Sequence, residues 1–109
     1  MVAKSRFDEE IENIVEQLVR LYKPAKVILF GSLAEGQIHE SSDIDLFIIK
    51  NDVPETGVDR IRQLDRLIKY RLATDFIVYK PDELDRRLKM GDPFVKNILD
   101  KGKVLYETV

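Results

Sequence analysis

The sequence has no cysteine and a single histidine, His39. Without cysteine there are no disulfides, no thiolate zinc sites and no cysteine nucleophile. One histidine rules out a multi-histidine metal site. Glycine and proline number only 5 and 4 among 109 residues, and 44% of the chain is apolar. That composition excludes a collagen-like or disordered chain. No apolar run approaches the roughly 20 residues that span a bilayer. The N-terminal stretch MVAKSRFDEEIEN also lacks the apolar core of a signal peptide. The expectation is a cytoplasmic protein with no membrane partner. Neither sign of charge dominates: 18 Lys and Arg against 20 Asp and Glu leave a net −2. Overall charge therefore gives no grip on nucleic acid. A chain of this size buries about two-thirds of its unfolded surface. We expect a single domain over residues 1–109, with no separate substrate domain.

What is present reads as alternating helices and strands. Ser5 is placed to cap a helix, with Asp8, Glu9 and Glu10 near its positive end. Phe7, Ile11, Ile14, Val15, Leu18, Leu21 and Tyr22 carry its apolar stripe up to Pro24. Lys26 to Phe30 is a short strand apolar enough to be covered on both faces. Ser32 to Gly36 fits one helical turn, and Gln37 to Ser42 a polar loop. Asp43 to Lys50 is the second strand. Val58 to Leu72 returns to helical spacing. Thr74 to Tyr79 is a third strand. Pro81 starts a helix ended by Gly91, and Asp92-Pro93 caps the next, which stops near Gly102. Lys103 to Glu107 is a final short strand. The fold class is α/β (α+β): a small mixed β-sheet with helices packed on it.

The informative constellation is Gly31-Ser32, ten residues, then Asp43-Ile44-Asp45. Side chains alternate along a strand, so Asp43 and Asp45 share a face, with Cα atoms about 6.7 Å apart. Aspartate is disfavoured in strands. Two carboxylates about 4 Å apart repel by roughly 4 kcal/mol at an effective dielectric of 20. A divalent cation turns that cost into binding energy. With no cysteine and one histidine, an all-oxygen site points to a hard ion, Mg²⁺ or Mn²⁺. Asp75 opens the third strand and joins the pair if that strand lies beside the second. Three carboxylates suit two metals about 3.5–4 Å apart and in-line phosphoryl or nucleotidyl transfer. Gly31 lets a phosphate approach the backbone at a strand end, and the following turn offers N–H groups and the Ser32 hydroxyl.

Gly31-Ser32-x10-Asp43-Ile44-Asp45-Leu46, with Ser42 before the first aspartate, resembles the nucleotidyltransferase superfamily that includes DNA polymerase beta. The shortness of the chain resembles its minimal nucleotidyltransferase branch, the antitoxin of HEPN/MNT toxin–antitoxin pairs. The resemblance implies the nucleotidyltransferase fold. It implies that Gly31 and Ser32 contact the triphosphate and that Asp43 and Asp45 bind two Mg²⁺ ions, with Mn²⁺ an alternative. It implies that Asp75 binds the catalytic metal and helps deprotonate the acceptor. It further implies ATP as substrate and a HEPN-domain toxin as partner, with AMP transferred to a tyrosine of that toxin. Many relatives carry arginine in the loop after Gly-Ser, where this chain has Leu33 and Glu35. Lys50, Lys69 and Arg71 are the remaining basic candidates for the nucleotide charge.

Plainer readings stand beside these. Gly31-Ser32 alone is an ordinary strand-ending turn, and the aspartates alone are solvated strand starts. His39 reads as an exposed loop residue. Tyr79 and Lys80 are placed to touch a nucleotide, although a strand-end tyrosine is more often a packing residue. Arg60, Arg62, Arg66, Lys69 and Arg71 read as solvated faces of one helix. Two functional rivals remain open: a non-catalytic nucleotide- or partner-binding subunit, and an enzyme modifying a small molecule such as an aminoglycoside. A homo-oligomer and a hetero-complex are both compatible with the sequence.

Overall fold

The computed structural model describes residues 5–108, so residues 1–4 and 109 of the expected 1–109 domain lie outside the described residues. Four helices and four strands follow in the order α1 (Arg6–Gln17), β1 (Lys26–Phe30), β2 (Ile44–Ile49), α2 (Gly57–Leu67), β3 (Thr74–Tyr79), α3 (Pro81–Lys89), α4 (Pro93–Lys101) and β4 (Lys103–Glu107). The sheet order is β3-β2-β1-β4. β1 runs antiparallel to both β2 and β4, whereas β2 and β3 are parallel. The mixed sheet is the expected one.

The central strands are apolar on both faces because both faces are covered. Val27, Leu29, Ile44, Leu46, Ile48, Phe76 and Val78 pack with Phe7, Ile14, Leu18 and Leu64 of the first two helices. Ile28, Phe47 and Ile49 turn the other way, onto Ile98, Leu84 and Leu99 of the last two. The result is a sheet between two helical layers. None of its helices among the described residues is long and apolar enough to cross a membrane.

The expected caps are present. The Ser5 hydroxyl accepts from the Asp8 N–H, and Asp8 accepts from the Ser5 N–H in return. Asp92 accepts from the N–H groups of Phe94 and Val95. Two local expectations are corrected. The first helix does not stay α-helical to Tyr22: Leu18–Tyr22 widens to a π-turn, closed by Lys23 in the left-handed conformation. This turn places both Leu18 and Tyr22 in the core. Residues 32–36 form the expected single turn, with Ala34 and Glu35 N–H bonded to the Gly31 carbonyl at helical spacing and Gln37 N–H to that of Ser32, and it does not extend into a helix.

The second correction concerns the second helix, which stops at Leu67 instead of Leu72. Residues 69–72 are instead held by side chains of α1. Gln17 accepts from the Lys69 N–H at 2.8 Å and donates to its carbonyl at 2.7 Å. One Glu10 oxygen accepts from the N–H groups of both Arg71 and Leu72. These bonds replace the helical ones, so the chain enters β3 extended. The apolar spacing of Ile68 and Leu72 persists only because both still face the same core.

Candidate functional site

The register of the sheet builds the site. Phe30 pairs with Asp45 across β1–β2, and Asp45 pairs with Asp75 across β2–β3. Phe30, Asp45 and Asp75 thus form one row across three strands, on the face that carries α3 and α4. The next row toward the interior is Ile28, Phe47 and Ile77. Two carboxylates therefore sit side by side at the edge of an apolar floor. The expected placement of Asp75 beside Asp45 is what the parallel pairing produces.

Asp43 precedes β2, which starts at Ile44 rather than Asp43, and is exposed; Asp75 is exposed and Asp45 half-buried. Burial first, then the charges of Asp75 and Asp43 and a hydrogen bond with Asp75, push the Asp45 carboxyl up to about 6. The protein therefore holds a carboxylate group at a position where its charge is disfavoured, which an incoming cation relieves. The donors are all oxygen, the chemistry of a hard divalent ion. Among the described residues no three such side chains already stand as a finished metal cage. The observed fit is that of a closely paired Asp45 and Asp75, with Asp43 acting on Asp45 through its charge.

Gly31 closes the other side. Its φ is +78°, and a Cβ there would overlap the Asp45 carboxylate. Only glycine satisfies both conditions. The turn after it is anchored by Leu33 and Ala34, both in the core. Its own hydrogen bonds use the N–H groups of Ala34 and Glu35, not those of Ser32 and Leu33. Leu33 is thus a packing residue. Glu35 points outward and meets Lys101 at 4.0 Å. The loop to β2 is closed by Ser42, whose hydroxyl accepts from the His39 N–H. Arg6 donates to the Glu40 carbonyl from α1. His39 is exposed as expected.

The basic candidates are sorted by position. Lys50 lies at the opposite end of β2 from Asp45, about 17 Å along the strand. There it covers the Tyr22 ring and reaches the Lys23 carbonyl. Lys69 and Arg71 belong to the clamped segment before β3. Lys101, which sequence reasoning did not single out, stands by the Gly31–Gly36 turn. Tyr79 packs edge-on against Phe47, and Lys80 pairs with Glu55, as packing and surface residues. Arg60 departs from its expected solvated role. It is 3% exposed and donates to the carbonyls of Pro54, Glu55 and Val78 and to both oxygens of Glu83.

Sequence reasoning also missed Glu10 and Gln17, which fasten the approach to Asp75. Burial works against the Glu10 charge, but the N–H groups of Leu72 and Arg71 and the amide of Asn13 prevail and hold its carboxyl below the ordinary range. The available signal was weak: polar residues at i and i+7 of a helix, on the edge of its apolar stripe.

Residues 9–109 match the family model described as "Polymerase beta, Nucleotidyltransferase". The chain belongs to this nucleotidyltransferase family. Two Methanocaldococcus jannaschii proteins, each named "Putative protein adenylyltransferase", are among its relatives. One is 32% identical over 101 residues, 91% of this chain and 97% of that protein. The other is 28% identical over 111 residues, 92% of this chain and 74% of that protein. Among solved structures, a Sulfolobus solfataricus protein described as a "putative nucleotidyltransferase" superposes with a TM-score of 0.61 at 24% identity, covering 97% of this chain and 90% of its own. A structure described as "the toxin-antitoxin with AMP-PNP" superposes with a TM-score of 0.57 at 23% identity, covering 89% of this chain and 73% of its own. At those identities the two likenesses establish the shared fold.

Proposed function

We propose that this chain is a Mg²⁺-dependent adenylyltransferase that places AMP from ATP on a hydroxyl of a partner protein. The favoured acceptor is a tyrosine of a HEPN-type toxin, with this chain as the antitoxin. The observation that carries the reading is the direct pairing of Asp45 with Asp75, next to a glycine where a Cβ would displace the Asp45 carboxylate. The names of the two archaeal relatives support a protein acceptor. The toxin–antitoxin neighbour with its ATP analogue supports both nucleotide and partner.

In this reading Asp43, Asp45 and Asp75 would hold divalent ions, Mg²⁺ or Mn²⁺. Held by these carboxylates, such ions would supply charge neutralisation for the phosphates and a lowered pKa for the acceptor hydroxyl. Gly31 and Ser32 hold the triphosphate through the N–H groups that the turn leaves unused and the Ser32 hydroxyl. Phe94, half exposed and edge-on to Phe30 at 5.9 Å, stands beside the row as an aromatic face for the base. The acceptor oxygen forms a bond to the α-phosphorus as the α–β phosphoanhydride bond breaks. Pyrophosphate leaves, and the hydroxyl proton passes to the Asp75 carboxylate.

The test uses radiolabelled ATP, Mg²⁺ and the protein encoded by the adjacent gene. Label should appear on that protein and be lost with Asp43→Ala. Absence of transfer to the protein, with toxin neutralisation surviving Asp43→Ala, would replace this reading with that of a non-catalytic binding subunit. Transfer to an aminoglycoside and not to the protein would favour the small-molecule rival.

A further inference from the structure

β3 is the outer strand of the sheet, and its free edge opens into a cleft of about 820 Å³ between α2 and α3. Ile44 and Lys50 donate to the carbonyls of Ala73 and Tyr79, so the odd-numbered residues turn their backbone groups to β2. By alternation, the N–H and carbonyl groups of Thr74, Phe76 and Val78 point outward. Of these, the Val78 carbonyl is taken by Arg60. Ile61, Phe76 and Val78 line the cleft, and Val58 and Met90 flank it at 61% and 75% exposure.

The charge of this cleft is one-sided. Arg60, Arg62, Arg86 and Arg87 line it, against only Glu55 and Glu83. Both carboxylates are already matched, Glu83 by Arg60 and Glu55 by Lys80. Arg62 meets Asp59 at 3.8 Å with both side chains mostly in solvent, and Arg87 meets Asp92 at 3.7 Å; Arg62 and Arg86 remain exposed and can turn to an occupant of the cleft. A positive, apolar cleft on a chain of net charge −2 complements an occupant that is anionic and apolar together. A free strand edge offers donors and acceptors in alternation. A phosphate matches only the donors, whereas a second backbone matches both.

We infer that the β3 edge is the docking site for an extended, acidic segment of a protein partner, which adds to the sheet as a fifth strand. Its apolar side chains enter the cleft and its carboxylates meet Arg62 and Arg86. Such a segment runs past Asp75, which precedes Phe76 on the same strand. Docking would therefore bring a hydroxyl of the partner to the carboxylate row. This rests on the adenylyltransfer reading for its purpose, but not for its binding.

The experiment measures fluorescence anisotropy with two labelled ten-residue peptides, alternating Val with Glu or Val with Lys around a central Tyr. The acidic peptide should bind saturably, and the basic one at least about tenfold more weakly. Binding should slow amide exchange at Thr74 and Phe76. The Arg62→Glu/Arg86→Glu double variant should lose the acidic preference with an unchanged melting temperature, while Asp43→Ala binds like wild type. Equal affinity for both peptides, or acidic binding unchanged in the double variant, would overturn the inference. So would displacement of the peptide by inorganic pyrophosphate, which marks the cleft as a phosphate site. A dimer in sedimentation that the double variant abolishes would instead assign the edge to a second copy of this chain. If transfer assays fail while the peptide results hold, the catalytic reading falls and the docking surface stands.

Discussion

Gly31 stands so close to Asp45 that a Cβ added there would displace the Asp45 carboxylate. Gly31→Ala meets two penalties: a φ of +78° and overlap with the Asp45 carboxylate. Gly36 shares the φ of +78° but has nothing within 4 Å of an added Cβ. The pair separates backbone strain from site geometry. Gly36→Ala should cost about 1 kcal/mol of stability and leave Mn²⁺ affinity intact. Gly31→Ala should cost more and lower Mn²⁺ affinity at least about tenfold, roughly 1.4 kcal/mol. Urea denaturation with Mn²⁺ titration followed by electron paramagnetic resonance reads both. Equal Mn²⁺ affinity in the two variants would contradict a role for the Gly31–Asp45 contact.

The metal-free protein should carry a pH signature of Asp45. Its carboxyl is raised from 3.8 to about 6 in the folded state. Between those values the native state binds more protons than the unfolded one, so this contribution to stability falls as pH rises. It is fully present below about pH 4 and lost above about pH 6. Glu10 and Glu83, both held below their ordinary range, act oppositely at more acid pH. The difference between wild type and Asp45→Asn isolates the effect. In chelator at pH 7.5 the variant should melt a few degrees higher than wild type, and at pH 4 the gap should close. Added Mn²⁺ should raise the melting temperature of wild type only. A variant that melts lower at pH 7.5 would show that Asp45 is held by partners rather than repelled by Asp75.

Glu10 and Gln17 hold the segment that leads into β3, and among the described residues no strand pairs with the outer side of β3. Without the clamp, the first residues of this edge strand have only β2 to fix them. Glu10→Ala removes a charged acceptor from two N–H groups and should cost about 2–3 kcal/mol. Amide exchange at Arg71, Leu72 and Asp75 should rise by more than the global loss explains. Mn²⁺ affinity should fall, and Glu10→Gln, which keeps one acceptor oxygen, should recover part of it. Uniform exchange across the sheet would reduce Glu10 to a purely global stabiliser.

Much of this was legible in the sequence, and for physical reasons. Asp43, Asp45, Gly31 and Ser32 lie close along the chain, so strand alternation and turn chemistry suffice to relate them. Asp75 required in addition that β3 lie beside β2, which the sequence left as a condition and the parallel register meets. The helix end at Leu67 was not legible, because Ile68 and Leu72 keep a helical spacing while bonds from Glu10 and Gln17, more than 50 residues away, hold the backbone extended. Arg60 was misplaced for the same reason. Charge alone suggests solvent, and only the fold brings Glu83 and the Val78 carbonyl to it.

That buried arginine gives a further expectation. Arg60 joins four elements of the structure at once: the loop before α2 through Pro54 and Glu55, α2 itself, the β3 edge at Val78, and α3 through Glu83. Glu83 in turn accepts from the Lys80 N–H at the start of α3. The arginine side chain is 4% exposed and that of Glu83 is 29%. Removing one member of a buried pair costs about 3–5 kcal/mol because the other is left uncompensated. Partial exposure of Glu83 puts Arg60→Ala near the lower figure. Glu83→Gln should cost less, since its amide oxygen still accepts from Lys80 and Arg60, though the charge is gone. The pair also predicts acid sensitivity: Glu83 is held below its usual range chiefly by its hydrogen bond to Arg60. Its contribution is present above the ordinary carboxylate pKa and lost as pH falls through the lowered one. Denaturation of wild type and Glu83→Gln from pH 7 to pH 3 should therefore converge at the acid end. A constant gap across that range would show that Glu83 acts by packing and not by its charge.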